Sequence, residues 1–177
     1  HNMSVFPDLV DDLLGGREQL YQAKYLHYQM AETNTSIREG WFYRDDTIQK
    51  TRSADDVFDI YERSVGGNSV FLLNIPPNRE GEFSPADVEV LKEVGKRIEE
   101  TYSVNLLEGA KGATKALDQN ELTFELLDEG VSSIEIKTPK PITTNRFVIQ
   151  EAITTHSERI EKHALDAWIN NAWEEIA

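Results

Sequence analysis

Cysteine is missing from this 177-residue chain. Its absence excludes disulfides, a thiolate nucleophile, a Cys-ligated zinc and redox chemistry on sulfur, while choosing no compartment. Basic residues are few: 18 Lys and Arg stand against 32 Asp and Glu, for a net charge of −14. A polyanion is held by clustered cations that release counterions, so nucleic acid is not an expected partner. An anionic membrane surface is disfavoured for the same reason. Long apolar runs are also lacking. The most apolar stretch, Val70 to Ile75, falls far short of the ~20 residues that cross a bilayer, and no membrane insertion is expected. Histidine occurs four times, at His1, His27, His156 and His163, never in the HxxxH or HExxH spacing, so no metal site is expected. The GxSxG, GxGxxG and P-loop patterns are absent too, which removes the loops that present a nucleophile or cradle a phosphate. No cofactor is expected.

The composition that remains, 39% apolar and 28% charged, is that of a globular chain long enough for one domain or parts of two. The opening His1-Asn2-Met3-Ser4 has neither a basic n-region nor an apolar h-region and does not read as a targeting segment. Leu9, Val10, Leu13 and Leu14 are compatible with one short helix. Lys24 to Glu32, rich in aromatic and apolar residues and free of Gly and Pro, predicts a strand buried on both faces. Ser53 with Asp55 and Asp56 is an N-cap followed by first-turn acids, and Val57, Ile60, Tyr61 and Ser64 recur at helical spacing until Gly66-Gly67. Ser69 to Ile75 predicts a strand of a parallel sheet covered on both faces. Ser84-Pro85-Ala86-Asp87 then opens a second helix whose apolar stripe is Val88, Leu91, Val94, Ile98 and Tyr102. Strand, helix, strand, helix is a piece of α/β architecture.

Beyond Tyr102 the apolar period changes from 3.6 to 2. Leu122 to Leu126, Ser133 to Lys137, Arg146 to Gln150 and His163 to Ile169 alternate, and Asn170-Asn171 suits the positive φ of a tight hairpin before Trp173 to Ile176. Spaced short strands of this kind predict an antiparallel β-sandwich. The expected boundary lies near Ser103, dividing residues 1–102 from 103–177.

The segment Ala31 to Tyr43 places a carboxylate, Glu32, at the end of a predicted strand. In a (β/α)8 barrel the carboxyl ends of the strands line the active site. One of 32 acids sitting in water at a strand end is the plainer alternative, and both readings stand. Ser36 to Glu39 also has capping-box spacing, although Gly40 argues against a helix there. Trp41 reads as a wall for the C–H face of a sugar or as packing against Phe42 and Tyr43. Asn34 reads as a partner for a sugar hydroxyl or as a turn residue. Arg38 reads as a bidentate partner for Glu32 or another acid, or as a surface cation. His27 reads as a core histidine, one of Asn68 and Asn74, which flank the next strand, as a tie for a βα loop or as a substrate contact, and Trp168 and Trp173 as core or hairpin packing or a glycan platform.

Two longer patterns go further. Ala31-Glu32-x-x-x-Ser36-Ile37-Arg38-x-Gly40-Trp41-Phe42-Tyr43, followed by Ser64-Val65-Gly66-x-Asn68-Ser69-x-x-Leu72-Leu73-Asn74-Ile75-Pro76-Pro77-Asn78-x-x-Gly81, resembles the closing barrel segments of the family 29 α-L-fucosidases. Ser84 to Ile98 is similar to that family's last barrel helix. Asn145 to Glu151 and Glu158-Arg159-Ile160 to Ala167-Trp168 are similar to strands of the β-sandwich after the barrel. The resemblance implies the last βα units of a (β/α)8 (TIM) barrel followed by an antiparallel, truncated β-sandwich. It also implies a retaining hydrolase that removes terminal α-L-fucose from glycans, with an Asp nucleophile and a Glu acid/base about 5–5.5 Å apart. Glu32 aligns with the family's Glu and is the expected acid/base; Trp41, Asn34 and Arg38 are the expected substrate-binding residues. The nucleophile segment has no match in this sequence, so its expected partner is the missing N-terminal barrel segment of a parent protein, and the chain alone is expected to be inactive. The family also suggests a periplasmic or secreted location. The competing function is a non-catalytic carbohydrate-binding or structural β-sandwich.

Overall fold

The computed structural model describes residues 3–5, 21–22, 24, 26–45, 49–157, 159–160 and 162–177. The short helix expected around Leu9 to Leu14 lies outside these residues, as does the His27 side chain. The chain forms two compact units, His1–Glu108 with Ile142–Val148, and Gly109–Pro141 with Ile149–Ala177.

The first unit contains β1 (Met3–Val5) and β2 (Leu26–Tyr28), an antiparallel pair, then β3 (Ala31–Ser36), α1 (Ala54–Gly66), β4 (Ser69–Asn74) and α2 (Pro85–Tyr102). β3 and β4 pair in parallel from Ala31 opposite Ser69 to Ser36 opposite Asn74, and the Ile37 amide extends the ladder to the Asn74 carbonyl at 2.9 Å. This is the strand–helix–strand–helix order read from the sequence. Ser53 caps α1 by accepting the Asp56 amide at 3.1 Å, and Gly67 closes its last turn by donating to the Arg63 carbonyl. Val57 and Ser64 are buried along the face of α1 that the spacing marked out. α2 begins at Pro85, where a missing amide costs nothing, and Val94 is buried on its apolar stripe.

Two expectations are corrected. The strand predicted over Lys24 to Glu32 is not one strand: Lys24 lies in a bend, β2 ends at Tyr28, and a new strand starts at Ala31. The aromatic richness of the earlier segment concealed that break, and the polar run Ala31 to Ser36 lacked the apolar content that would have announced a strand. Neither β3 nor β4 is covered on both faces. Phe71, Leu73 and Ile75 pack with Ile37, Val57 and Val94 under the helices. Val70 and Leu72, on the other face of β4, remain 44% and 47% exposed.

The second unit holds the hairpin β5 (Asp166–Ile169) and β6 (Ala172–Glu175) and one helical turn, α3 (Ile153–His156). Asn170 and Asn171 adopt φ of 50° and 65°, the paired left-handed conformation expected of this turn. Leu122 to Leu126 and Ser133 to Lys137 form no ladder, and their one β contact is an isolated antiparallel bridge between Lys111 and Lys137. Arg146 to Gln150, which bridges the two units in sequence, forms no ladder either. Alternation marks where side chains could point, but a strand needs a partner edge, and among the described residues these segments have none.

Candidate active site

In a parallel βα layer the loops leaving the carboxyl ends of the strands form the natural binding surface. Here those loops follow Ser36 of β3 and Asn74 of β4. An open cleft of about 520 Å³ lies between them, with Trp41, Phe42, Tyr43, Asn74, Pro76 and Arg79 among its lining. Trp41 is half exposed and Phe42 is 82% exposed, so both offer ring surface to a ligand.

Rigid contacts beneath the cleft hold these aromatic residues up. Asn74 Nδ2 donates to the Trp41 carbonyl at 3.0 Å and to Ser36 Oγ at 3.1 Å, tying the loop to the strand end. The buried Gln49 amide donates to the carbonyls of Glu39 and Phe42 at 3.1 and 2.8 Å and accepts the Arg44 amide at 3.0 Å. Asp45 and Arg79 join the two loops in an ion pair. The Arg79 guanidinium holds the Asp45 carboxyl below its ordinary range, with a further hydrogen bond from Tyr43 acting in the same direction. Asn78 folds the second loop, its side-chain oxygen accepting the Glu80 and Glu82 amides at 3.0 and 2.9 Å. Gly81 supplies the positive φ that this turn needs.

Of the residues singled out in the sequence, Trp41 stands in the cleft. Arg38 pairs with an acid, Asp87 and not Glu32, but not in the bidentate fork expected for it: a single Nε–H is shared between both carboxylate oxygens, each 2.9 Å from Nε. Thr51 Oγ1 donates to the same carboxylate at 2.9 Å, and Asp87 is fully buried in the first turn of α2. Arg38 also lies over the Tyr43 ring at 5.9 Å. Asn34 is exposed in mid-strand on the open face of β3, so it is not a turn residue. Glu32 is exposed on that same face, second in its strand. The expectation that it closes a strand is therefore corrected. Four residues of extended chain, roughly 13 Å, separate it from the carboxyl end at Ser36. The structure brings Glu32 and Asn34 together on one face and places Trp41 at another level.

Sequence reasoning missed Asp87, Gln49, Asp45 and Arg79. Asp87 entered only as part of the helix start Ser84-Pro85-Ala86-Asp87, and its burial depends on an arginine 49 residues away. Gln49 carries no local signal at all.

Residues 15–101 match the family model described as alpha-L-fucosidase. Among curated proteins, the chain is 28% identical over 163 residues to a putative alpha-L-fucosidase 1 of Oryza sativa subsp. japonica, covering 82% of this chain and 31% of that protein. It is 42% identical over 76 residues to alpha-L-fucosidase 1 of Arabidopsis thaliana, covering 43% of this chain and 15% of that protein. The chain thus spans less than a third of the length of the curated relatives it matches. A solved glycoside hydrolase 29 family member from an unknown rumen bacterium superposes with a TM-score of 0.64 at 33% identity, over 84% of this chain and 24% of that one. The likeness covers both the motif that carries the cleft and the fold that presents it, and by these matches the segment 15–101 of this chain belongs to the family 29 α-L-fucosidases.

Proposed function

We propose that this chain supplies part of the sugar-binding and catalytic surface of a retaining α-L-fucoside hydrolase, completed by further barrel strands in a longer parent protein. The observation that carries the reading is the cleft itself. Exposed aromatic rings stand at the carboxyl ends of a parallel strand pair, inside a segment that matches the fucosidase family. Trp41 is the stacking wall, since an indole face packs well against the C–H groups of a hexose. β3, α1, β4 and α2 are then closing units of a (β/α)8 barrel, and the second unit derives from a β-sandwich. Strands packed over the open face would bury Val70 and Leu72 and enclose Glu32 and Asn34.

Glu32 is the proposed acid/base, on the strength of its motif and its place on that open face. Its task would be to protonate the leaving oxygen and then deprotonate water, opposite a nucleophile supplied by the rest of the barrel. Asn34, one alternation along, would hydrogen-bond a sugar hydroxyl. Arg38 would act on substrate only through the loop it anchors, because its guanidinium is engaged by Asp87. The distance of Glu32 from the strand's carboxyl end counts against its role, and Glu39, exposed in the loop beyond Ser36, is the alternative within this chain.

Glu32→Gln in the parent enzyme decides between them. The acid/base reading expects a loss of roughly 10²–10⁴-fold on fucosides with poor leaving groups, a smaller loss on activated aryl fucosides, and partial rescue by azide. Equal, slight effects on both substrates would remove Glu32 from the mechanism. The 177-residue chain alone should hydrolyse an aryl α-L-fucoside little or not at all, because a lone acid forfeits the proximity and electrostatic contributions of a complete site. Normal turnover would refute that. The competing reading, a non-catalytic glycan-binding module, has the exposed Trp168 and Trp173 in its favour. Their rings meet edge to face at 70°, however, and present no flat platform for a sugar.

A further inference from the structure

Between Glu39 and Arg44 the chain makes a loop with no regular structure, and a loop of that kind holds a ring in one place only if its backbone polar groups are satisfied. Gln49 satisfies three of them. Its carboxamide is buried, donates to two carbonyls and accepts one amide, so every contact depends on an uncharged group that carries both donor and acceptor. Those backbone groups flank Trp41 and Phe42 on both sides, and the Trp41 carbonyl itself is held from the opposite direction by Asn74.

We propose that Gln49 is the positioning residue of the cleft: its buried side chain sets the loop conformation in which Trp41 and Phe42 present their rings to a saccharide. The identity of the ligand rests on the fucoside reading above; the positioning of Trp41 does not. No other side chain of similar size fits the requirement. Glutamate keeps the shape but, when ionised, turns a carboxylate oxygen towards two carbonyl oxygens. When protonated it regains one donor. Alanine leaves two carbonyls and one amide without this partner.

The test uses the full chain with Trp168→Phe and Trp173→Phe, which leaves Trp41 as the sole indole. Acrylamide quenching of Trp41 emission reports its shielding, far-UV circular dichroism reports the helices, and titration with methyl α-L-fucoside reports binding. Gln49→Ala is expected to lower the quenching constant, as the released loop folds the Trp41 ring back onto apolar surface, while the helical signal stays native. Wherever the parent chain binds the fucoside, affinity should fall roughly tenfold or more as the competent loop population shrinks. Gln49→Glu should behave like Gln49→Ala at neutral pH and return towards the parent value as the pH falls and the new carboxyl protonates. A merely space-filling role would show no such pH dependence. Unchanged quenching in both variants overturns the proposal. So does loss of the helical signal in both at every pH, which would make Gln49 a residue of general stability. Failure of the fucoside to bind the longer parent enzyme, with Trp41 quenching in this chain still responding to Gln49, counts against the fucoside reading alone.

Discussion

Replacing Asp87 by alanine is the sharpest test of how the cleft is supported. Asp87 is fully buried, and the Arg38 side chain that faces it is only 10% exposed. Their mutual attraction offsets two desolvation costs, so removing one partner strands the other as a buried, unpaired charge. The hydrogen bonds to the carboxylate are lost with it, one Arg38 Nε–H shared between both oxygens and one donated by Thr51 Oγ1. Breaking a buried pair in this way costs about 3–5 kcal/mol. Domains of this size are stable by only about 5–15 kcal/mol, so the loss is a large fraction of the whole. With a urea m-value of about 1–3 kcal/mol/M, the midpoint should fall by at least ~1 M. Circular dichroism is a suitable probe because α1 and α2 both belong to the unit that holds the pair. The double variant Arg38→Met with Asp87→Leu should lose less than the sum of its parts, because no charge is then left alone. An Asp87→Ala cost below about 0.5 kcal/mol would refute the reasoning, and so would a cost that vanishes in 1 M salt, as expected for a surface pair.

Glu62 accepts two hydrogen bonds from Arg146, at 2.6 and 3.0 Å, and one from Tyr102 at 2.7 Å. The Arg146 guanidinium holds its carboxyl below the ordinary value of 4.5, so its stabilisation is fully present above that pH and is lost as the pH falls through the lowered folded value. Glu62→Gln should therefore flatten the acid limb of a urea-midpoint profile; an unchanged limb would show that the clasp contributes nothing. Gly112 has φ of +128°, and a Cβ there would come 2.2 Å from the Glu135 carbonyl oxygen. Gly112→Ala should cost about 1–3 kcal/mol or more and break the Lys111–Lys137 bridge, seen as faster amide exchange at both residues. Ser53→Ala should cost about 1 kcal/mol by uncapping α1, and a thermal midpoint equal to that of the unaltered chain would contradict the cap.

Local chemistry made the helices legible. Ser53, the first-turn acids, Pro85 and the glycines after Val65 are signals that operate within one turn, and the helix bounds follow them. The Asn170-Asn171 hairpin was readable for the same reason. β3 was harder, because its sequence AETNTS is mostly polar and its pairing is set by β4, 38 residues further on. The alternating segments Leu122 to Leu126 and Ser133 to Lys137 went wrong in the opposite direction, since pattern alone supplies no partner edge. Trp41, singled out in the sequence, lines the cleft. Its supports were not legible there, because burial of Asp87 and Gln49 arises only from contacts that the folded chain creates.

Those supports explain why the cleft can expose its rings at all. An aromatic pair as exposed as Trp41 and Phe42 gains little from the core, and a free loop would fold such rings back onto apolar surface. Here the loop is pinned at its start by Arg38 on Asp87 and beyond its tip by Gln49, with Asn74 holding the Trp41 carbonyl between them. One anchor is ionic and reaches into α2; the other is a neutral amide that grips only backbone. The ordering entropy of the loop is thus offset by buried groups that never meet a ligand, and the rings can remain presented before one arrives. Glu32 has no such scaffolding among the described residues, and under the proposed function its direction would be fixed by strands packed over the open face of β3.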